Sequence, residues 1–460
     1  MLVVAVGAFF LIRSWGEGLT APEPPASAVS VAAPKAGQVD VVAHVLATLA
    51  AVIALGFVLG RLLARIGQPP VIGEVLAGIL LGPSLLGAIS PDAMHALVPA
   101  PDADPHGQVL AGLKAVSQLG VVLYMFLVGL ELNAATLKKK AHSAVAISHA
   151  SIVFPFVLGA TLALWLYPML SHRGVPFTSF ALFLGAALAV TAFPVLARIL
   201  ADRGLDKTEI GIVALGCAAA DDVTAWCLLA LVVGVAKEQV GDAVQTTMLA
   251  VMFIVGMFIV VRPLAERVCR WLDDHPTLPP VVVPVLFVVV LLSALATEAI
   301  GVHAVFGAFL LGAVIPHDSK LACEISRRLK DVVTVLLLPA FFALTGLRTE
   351  IGLLHEWQLW LVCGAIILVA TLGKWGGTLA AARFSGYDWR AAAALGAMMN
   401  TRGLMALIVL DLGLSMGVIS PTLFAMMVLM ALATTMMTAP ALHHLLHVEV
   451  QKRNAEDAKN

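Results

Sequence analysis

From Val41 onward the chain alternates long apolar stretches with brief polar turns. Thirteen such stretches can be counted, at about 41–60, 70–88, 111–131, 143–168, 176–198, 209–236, 243–261, 280–298, 300–316, 331–347, 357–382, 390–414 and 417–444. Most approach the roughly 20 residues an α-helix needs to cross about 30 Å of hydrocarbon. Proline-bearing turns at Gln68-Pro69-Pro70, within 91–105, and from His275 to Pro280 punctuate the series. The pattern predicts an all-α polytopic membrane protein, with a single transmembrane domain over 41–445.

Residues 1–40 stand apart. An apolar run from Leu2 to Ile12 is followed by Arg13 and a stretch rich in Ala, Pro, Ser and Gly. The run is short for a span and has no basic segment ahead of it, as a signal peptide would. The segment is expected to be a flexible lead-in, and 446–460 a cytoplasmic tail.

Lysine and arginine orient the series, because loops rich in them stay cytoplasmic. Taking every second loop collects twenty of them: Arg61, Arg65, Lys138, Lys139, Lys140, Arg198, Arg203, Lys207, Arg262, Arg267, Arg270, Lys320, Arg327, Arg328, Lys330, Arg383, Arg390, Lys452, Arg453 and Lys459. The opposite loops and the N-terminal segment hold only Arg13, Lys35, Lys114, Arg173, Lys237 and Arg348. Thirteen spans then put the N-terminus outside and the C-terminus in the cytoplasm. Lys374 and Arg402 belong to neither set.

The chain also resembles itself. Gly78-Ile-Leu-Leu-Gly82 in the second stretch matches Ala308-Phe-Leu-Leu-Gly312 in the ninth, and Phe126-Leu-Val-Gly-Leu130 in the third matches Ala343-Leu-Thr-Gly-Leu347 in the tenth. Gly185-Ala186 before Thr191 in the fifth corresponds to Gly396-Ala397 before Thr401 in the twelfth. The matches keep their order, always seven stretches apart. An odd offset implies two inverted five-helix repeats, stretches 2–6 and 9–13, an arrangement of secondary transporters that bind substrate at the midplane.

Composition agrees. Sixty per cent of the 460 residues are hydrophobic and 12% charged, with a mean hydropathy of +0.97, against about 45–50% apolar and 25% charged in soluble domains. A soluble enzyme is excluded. The net charge of −1 gives no field to attract nucleic acid, so no nucleic-acid partner is expected. Cys217, Cys227, Cys269, Cys323 and Cys363 show no metal-ligand or disulfide spacing and read as packing residues.

Within so apolar a chain, an ionisable residue in mid-span costs about 2.5–3.5 kcal/mol even on insertion scales and marks function. Asp221 and Asp222 lie in the middle of the sixth stretch, after Ala218-Ala-Ala220. Neighbours on a helix point about 100° apart, so the two acids cannot form one chelating fork and take different roles. Such a carboxylate can trade a proton for a hard monovalent cation, Na⁺ or K⁺, and Asp222, Asp221 and Thr191 are the candidate cation and proton ligands. Lys374, in Ala370-Thr-Leu-Gly-Lys-Trp-Gly-Gly377, needs a counter-charge, either Asp221 or Asp222. The pair would open when a cation takes the carboxylate.

The fifth stretch breaks its helical pattern at Val190-Thr191-Ala192-Phe193-Pro194, and the twelfth carries Asn400-Thr401-Arg402-Gly403. Proline removes an amide donor. Two discontinuous helices crossing at the midplane would offer carbonyls and hydroxyls to a dehydrated cation, with Arg402 compensating the negative ends of the half-helices. Glu74, Glu131, Glu298, His303 and Asp411 lie near stretch ends and read as interfacial or structural. No cofactor is expected, nor is an enzyme: an intramembrane aspartyl protease needs two aspartates brought together from different helices.

In these residues the chain resembles the monovalent cation:proton antiporters, especially the Kef-type bacterial and plant CHX branch. The resemblance rests on Gly67-Gln-Pro-Pro-Val-Ile-Gly-Glu-Val-Leu-Ala-Gly-Ile-Leu-Leu-Gly-Pro83, Phe126-Leu-Val-Gly-Leu-Glu131, Thr191-Ala-Phe-Pro-Val-Leu-Ala-Arg198, Asp221-Asp222, His303-Ala-Val-Phe-Gly-Ala-Phe309 and Asn400-Thr-Arg-Gly403. It implies exchange of a cation for protons by alternating access, serving pH homeostasis. It also implies a homodimer in a bacterial inner membrane, an elevator-like core, Asp222 binding cation and proton in turn, and Asp221 paired with Lys374. Two acids with a lysine, where CHX-like proteins usually carry Asn-Asp, look like the electrogenic bacterial Na⁺/H⁺ antiporters. Kef-type systems carry a nucleotide-binding domain after the membrane part. Here about fifteen residues follow the last stretch, so regulation by such a domain in cis is not expected. A proton-coupled exporter of another solute, or a cation channel or pH sensor, are the alternative readings.

Overall fold

The computed structural model describes residues 2–19, 40–100, 102–131, 141–205, 208–236, 240–275, 279–301 and 303–457, which form helices and connecting turns without a strand among them. Lys35, Lys138 to Lys140, Lys207, Lys237, Pro276 and Lys459 lie outside the described residues, as do the side chains of Pro194, Arg198, Cys227, Lys452 and Arg453.

In chain order the principal helices are α1 (Leu2–Gly16), α2 (Val41–Arg65), α3 (Pro70–Leu81), α4 (Gln108–Glu131), α5 (Ala141–Leu170), α6 (Phe177–Ala189), α7 (Phe193–Asp202), α8 (Glu209–Ala236), α9 (Val240–Gly256), α10 (Arg262–Asp273), α11 (Val282–Ile300), α12 (Ala304–Val314), α13 (Lys320–Asp331), α14 (Leu338–Leu347), α15 (Trp357–Thr371), α16 (Gly377–Phe384), α17 (Trp389–Met399), α18 (Leu404–Ser415) and α19 (Pro421–Asp457). Widened π-type turns at Met257–Val261, Val332–Leu337 and Leu372–Gly376 run α9 into α10, α13 into α14 and α15 into α16. Among the described residues, nine helices are long and apolar enough to cross a membrane. Phe177–Ala189, Ala304–Val314 and Met405–Ser415 are shorter apolar helices.

The helices pack as two bodies. In the first, α2 lies on α3, α3 on α14, α14 on α4, and α4 on α12 with α11 outside. The backbones touch where side chains vanish: a Cβ on Gly129 would fall 2.2 Å from the Phe309 carbonyl, and one on Gly312 2.2 Å from that of Phe126. Gly78 and Gly346 bring α3 and α14 together in the same reciprocal way. In lipid, where no hydrophobic drive holds helices together, such close approach is what does. In the second body, α5 packs on α6, α8 and α16, and α17 on α16 and α19.

In the segment read as a lead-in, α1 forms a helix that packs on α5 and α6, burying Ile12 and setting Phe9 against Phe156 with ring centroids 6.0 Å apart. Its apolar run is long enough to cover an existing groove. Cys217, Cys269 and Cys363 are buried and Cys323 is exposed, none of them in a disulfide.

Candidate cation and proton site

Helix α6 stops at Ala189, and Val190 is extended, with φ −69° and ψ 137°. Continuing the helix would leave the Val190 carbonyl without a donor, because Pro194 has no N–H. In the second broken helix, α17 ends at Met399 and α18 begins at Leu404. The two interruptions meet: the Ala192 N–H donates to the Thr401 carbonyl at 3.0 Å. Helix α19 buttresses the crossing, since the Thr435 hydroxyl accepts the Arg402 N–H at 3.0 Å and Thr438 Oγ1 lies 3.2 Å from Thr401 Oγ1.

A broken helix presents open carbonyls at the end of its dipole. Arg402 Nη1 donates to Ala187 O at 2.8 Å and reaches Val190 O at 3.4 Å, and Nη2 donates to Leu188 O at 2.7 Å. Lys374 Nζ takes the next carbonyl, Ala189 O, at 2.5 Å. Both cations are fully enclosed, with Arg402 1% and Lys374 0% exposed. Lys374 sits in the widened turn Leu372–Gly376, a local expansion common at functional sites.

Lys374 Nζ also lies 3.1 Å from Asp221 Oδ2 and donates to Ser151 O at 2.9 Å. Asp221 is the best-satisfied carboxylate here: Ser148 donates to Oδ1 at 2.7 Å, and Ser151 and Thr191 to Oδ2 at 2.8 and 2.6 Å. A buried ion pair is tolerable when its remaining lone pairs are filled in this way.

Asp222, one residue on, is the opposite case. It is 0% exposed, and neither oxygen has a hydrogen-bond partner. Asn400 Oδ1 is likewise buried without a partner. A bare carboxylate in so dry a place is sustained only by a proton or a cation on it. Among the described residues no group of three His, Cys, Asp or Glu could hold a multivalent metal. A single unpartnered carboxylate suits a monovalent ion better than a multivalent one.

The structure thus brings Asp221, Lys374, Thr191, Ala192, Thr401 and Arg402 together, and gives Asp221, rather than Asp222, as the partner of Lys374. Thr191, expected among the cation ligands, directs its hydroxyl to Asp221. Phe193 starts α7, and Gly403 precedes α18 with an extended backbone. Ser148, Ser151, Thr435 and Thr438 were not read as site residues, although Ser148-x-x-Ser151 on one face of an apolar helix was a usable signal. Away from the site, Glu131 pairs with Lys330 at 3.2 Å, Glu298 accepts the Ala304 N–H at 2.9 Å, and Asp411 pairs with Arg348.

Interrupted helices crossing beside buried carboxylates define an integral membrane protein of the secondary-transporter class. Residues 47–447 match the transmembrane sodium/hydrogen exchanger family, and the chain belongs to that family of antiporters, which are transporters and not enzymes. It is 43% identical to the Na⁺/H⁺ antiporter NhaS4 of Synechocystis sp. over 86% of this chain and 95% of that one. It is also 37% identical to cation/H⁺ antiporter 18 of Arabidopsis thaliana and 35% identical to K⁺/H⁺ antiporter 1 of Saccharomyces cerevisiae, over 85% and 81% of this chain. It spans only 47% and 43% of those two proteins. The fold is similar to that of the sodium proton antiporter MjNhaP1 of Methanocaldococcus jannaschii, with TM-score 0.64 over 88% of this chain and 97% of that one, at 15% identity.

Proposed function

We propose that the protein exchanges a monovalent cation, Na⁺ or K⁺, for protons by alternating access, with Asp222 holding cation and proton in turn. The observation that carries this is the Asp222 carboxylate, fully buried with both oxygens unpartnered, one residue from an acid whose lone pairs are filled. Asp221 holds Lys374 in place beside it. A cation entering at Asp222 adds a positive charge next to Lys374, and the ammonium's proton leaves with that of Asp222. Two protons for one cation make the exchange electrogenic. The relatives' names divide between Na⁺ and K⁺, so both ions belong to the proposal.

The reading includes thirteen spans in two inverted repeats. The reciprocal glycine contacts support it: an axis exchanging the second span with the ninth and the third with the tenth carries the α3–α14 contact into the α12–α4 contact. The same axis exchanges the two interrupted helices that meet at Ala192 and Thr401. The arginine and lysine distribution supports an outside N-terminus and a cytoplasmic C-terminus. A homodimer in the lipid of a bacterial inner membrane completes the proposal.

The test is proton movement in acid-inside proteoliposomes on addition of Na⁺, K⁺ or Li⁺, read by dye dequenching, with Asp222→Asn alongside. Dequenching that is lost in the variant supports exchange and names the ion. A folded, inserted protein that answers none of the three ions refutes it, leaving an exporter of another solute or a sensor. Flux that does not saturate and does not couple to protons identifies a channel.

A further inference from the structure

Pro440 lies inside α19. With no N–H, it leaves the carbonyl four residues back, that of Met436, without its helical donor. That donor comes from far away in the chain: Gln68 Nε2 donates to Met436 O at 3.1 Å. Gln68 belongs to the short turn between α2 and α3, at the end of α2 that carries Arg61 and Arg65, and only 8% of it is exposed. The bond therefore joins the first body to the second. Its acceptor is one residue from Thr435 and two from Thr438, the hydroxyls that hold Arg402 and Thr401 at the crossing. The side chain is half satisfied, since Gln68 Oε1 is buried without a partner.

We propose that Gln68 is a positioning residue for transport, a detachable dock between the two bodies, and that Pro440 provides its landing point. A proline in a membrane helix exposes a carbonyl that must be satisfied from outside the helix. Here the outside donor is a single neutral side chain on the other body. If the bodies shift against each other as the site changes its face, this bond forms in one arrangement and is absent in the other. A neutral amide suits that cycle, because a charged donor would be costly to leave unpaired. The other links from α19 to the crossing lie within one body and do not have to break.

This inference rests on the proposed exchange, and two sets of measurements keep them apart. In proteoliposomes, Gln68→Ala and Pro440→Ala both remove the dock, the second by supplying the missing helical N–H. A typical net hydrogen bond corresponds to about a fivefold change in a two-state equilibrium. Each variant should therefore change the ratio of the half-saturating cation concentrations at the two membrane faces about fivefold, one rising as the other falls. The double variant should shift no further. Equal loss of rate from both faces at unchanged half-saturation would overturn the proposal, as would multiplying effects in the double variant. Thermal melting of the four purified proteins tests the same coupling without transport: non-additive changes are expected for groups in contact, and additive ones would refute the dock. If wild type exchanges no cation, the exchange reading fails while the melting cycle still decides the dock. Gln68→Glu, which cannot donate when ionised, should behave no better than alanine.

Discussion

Lys374 and Arg402 share one helix end. Between them they take the carbonyls of Ala187, Leu188, Ala189 and Val190, the open end of α6. Lys374 also meets Asp221, whereas the Arg402 guanidinium bonds backbone carbonyls of Ala187, Leu188 and Val190. Arg402→Lys should be a poor replacement: a single ammonium cannot fork across carbonyls as a planar guanidinium does. Each buried carbonyl left open costs about 1–3 kcal/mol. We expect both Arg402→Lys and Arg402→Ala to melt well below wild type, the alanine variant lowest, in a thermal denaturation series. An unchanged melting temperature for Arg402→Lys would show that the fork is not needed.

The two aspartates should separate stability from transport. Asp221→Asn leaves Lys374 buried without its counter-charge, a loss of about 3–5 kcal/mol for a fully buried pair. Asp222→Asn breaks no hydrogen bond and removes a charge from a dry site, so its melting temperature should stay close to that of wild type or rise. Its cation exchange should vanish. A strongly destabilised Asp222→Asn would contradict the unpartnered geometry.

The break in the fifth stretch, the acids, the lysine and the arginine were legible in the sequence, because a membrane makes each polar or helix-breaking residue costly and therefore conspicuous. Ser148 and Ser151 were not, since a hydroxyl in an apolar helix usually satisfies itself on its own backbone. Only the packing of α5 on α8 turns them toward Asp221. Gln68 lies inside a segment that carries the family resemblance, but its bond to Met436 spans 368 residues and has no local signature. Helix α1 has no sequence signal of its own, since its packing against α5 and α6 depends on residues far along the chain.

Competition between the cation and the protons of Asp222 and Lys374 fixes the pH dependence of transport. If the cation displaces the protons of both Asp222 and Lys374, the half-saturating cation concentration rises about tenfold per pH unit where one of the two groups must lose its proton, and about a hundredfold per unit below both half-protonation points. The maximal rate at saturating cation should change far less. Titrating cation at pH values from about 6 to 9 on one face checks this. A half-saturation independent of pH would mean that the two ions use different sites.

Asp104 gives a pH effect outside the membrane. It accepts the backbone N–H groups of Val109 and Gln108, both at 2.9 Å, at the start of α4, and these bonds hold its carboxyl below the usual carboxylate range. A depressed folded value contributes stability above the unfolded carboxyl pKa of about 3.9 and loses it as the pH falls through the folded value. Amide exchange at Gln108 and Val109 should therefore be faster in Asp104→Ala than in wild type at neutral pH. The difference should begin to shrink below about pH 4 and close once the pH falls below the depressed folded value. A difference that persists in acid would place the effect in packing rather than in the charge.

Arg348 and Asp411 form an ion pair between α14 and α18, with side chains only 22% and 25% exposed. Asp411 lines a cavity of about 120 Å³ together with Lys114, Ser117, His303 and Thr345 among others. The pair's surroundings lie between the exposed case, worth about 0.2–1 kcal/mol, and the fully buried one, where removing a partner costs about 3–5 kcal/mol. Asp411 lines that cavity together with Lys114 and His303, and Arg348 pairs with Asp411. Loss of the acid should therefore be the costlier change: Asp411→Asn leaves Arg348 unpaired and takes the acid from a cavity that Lys114 also lines. We expect Asp411→Asn to lower the melting temperature more than Arg348→Gln. Exchanging the two residues, Asp411→Arg with Arg348→Asp, should recover only part of the loss, since the transplanted arginine would then point into a cavity already holding Lys114. Full recovery in the exchanged protein would show that the pair acts alone and that the cavity's charges do not reach it.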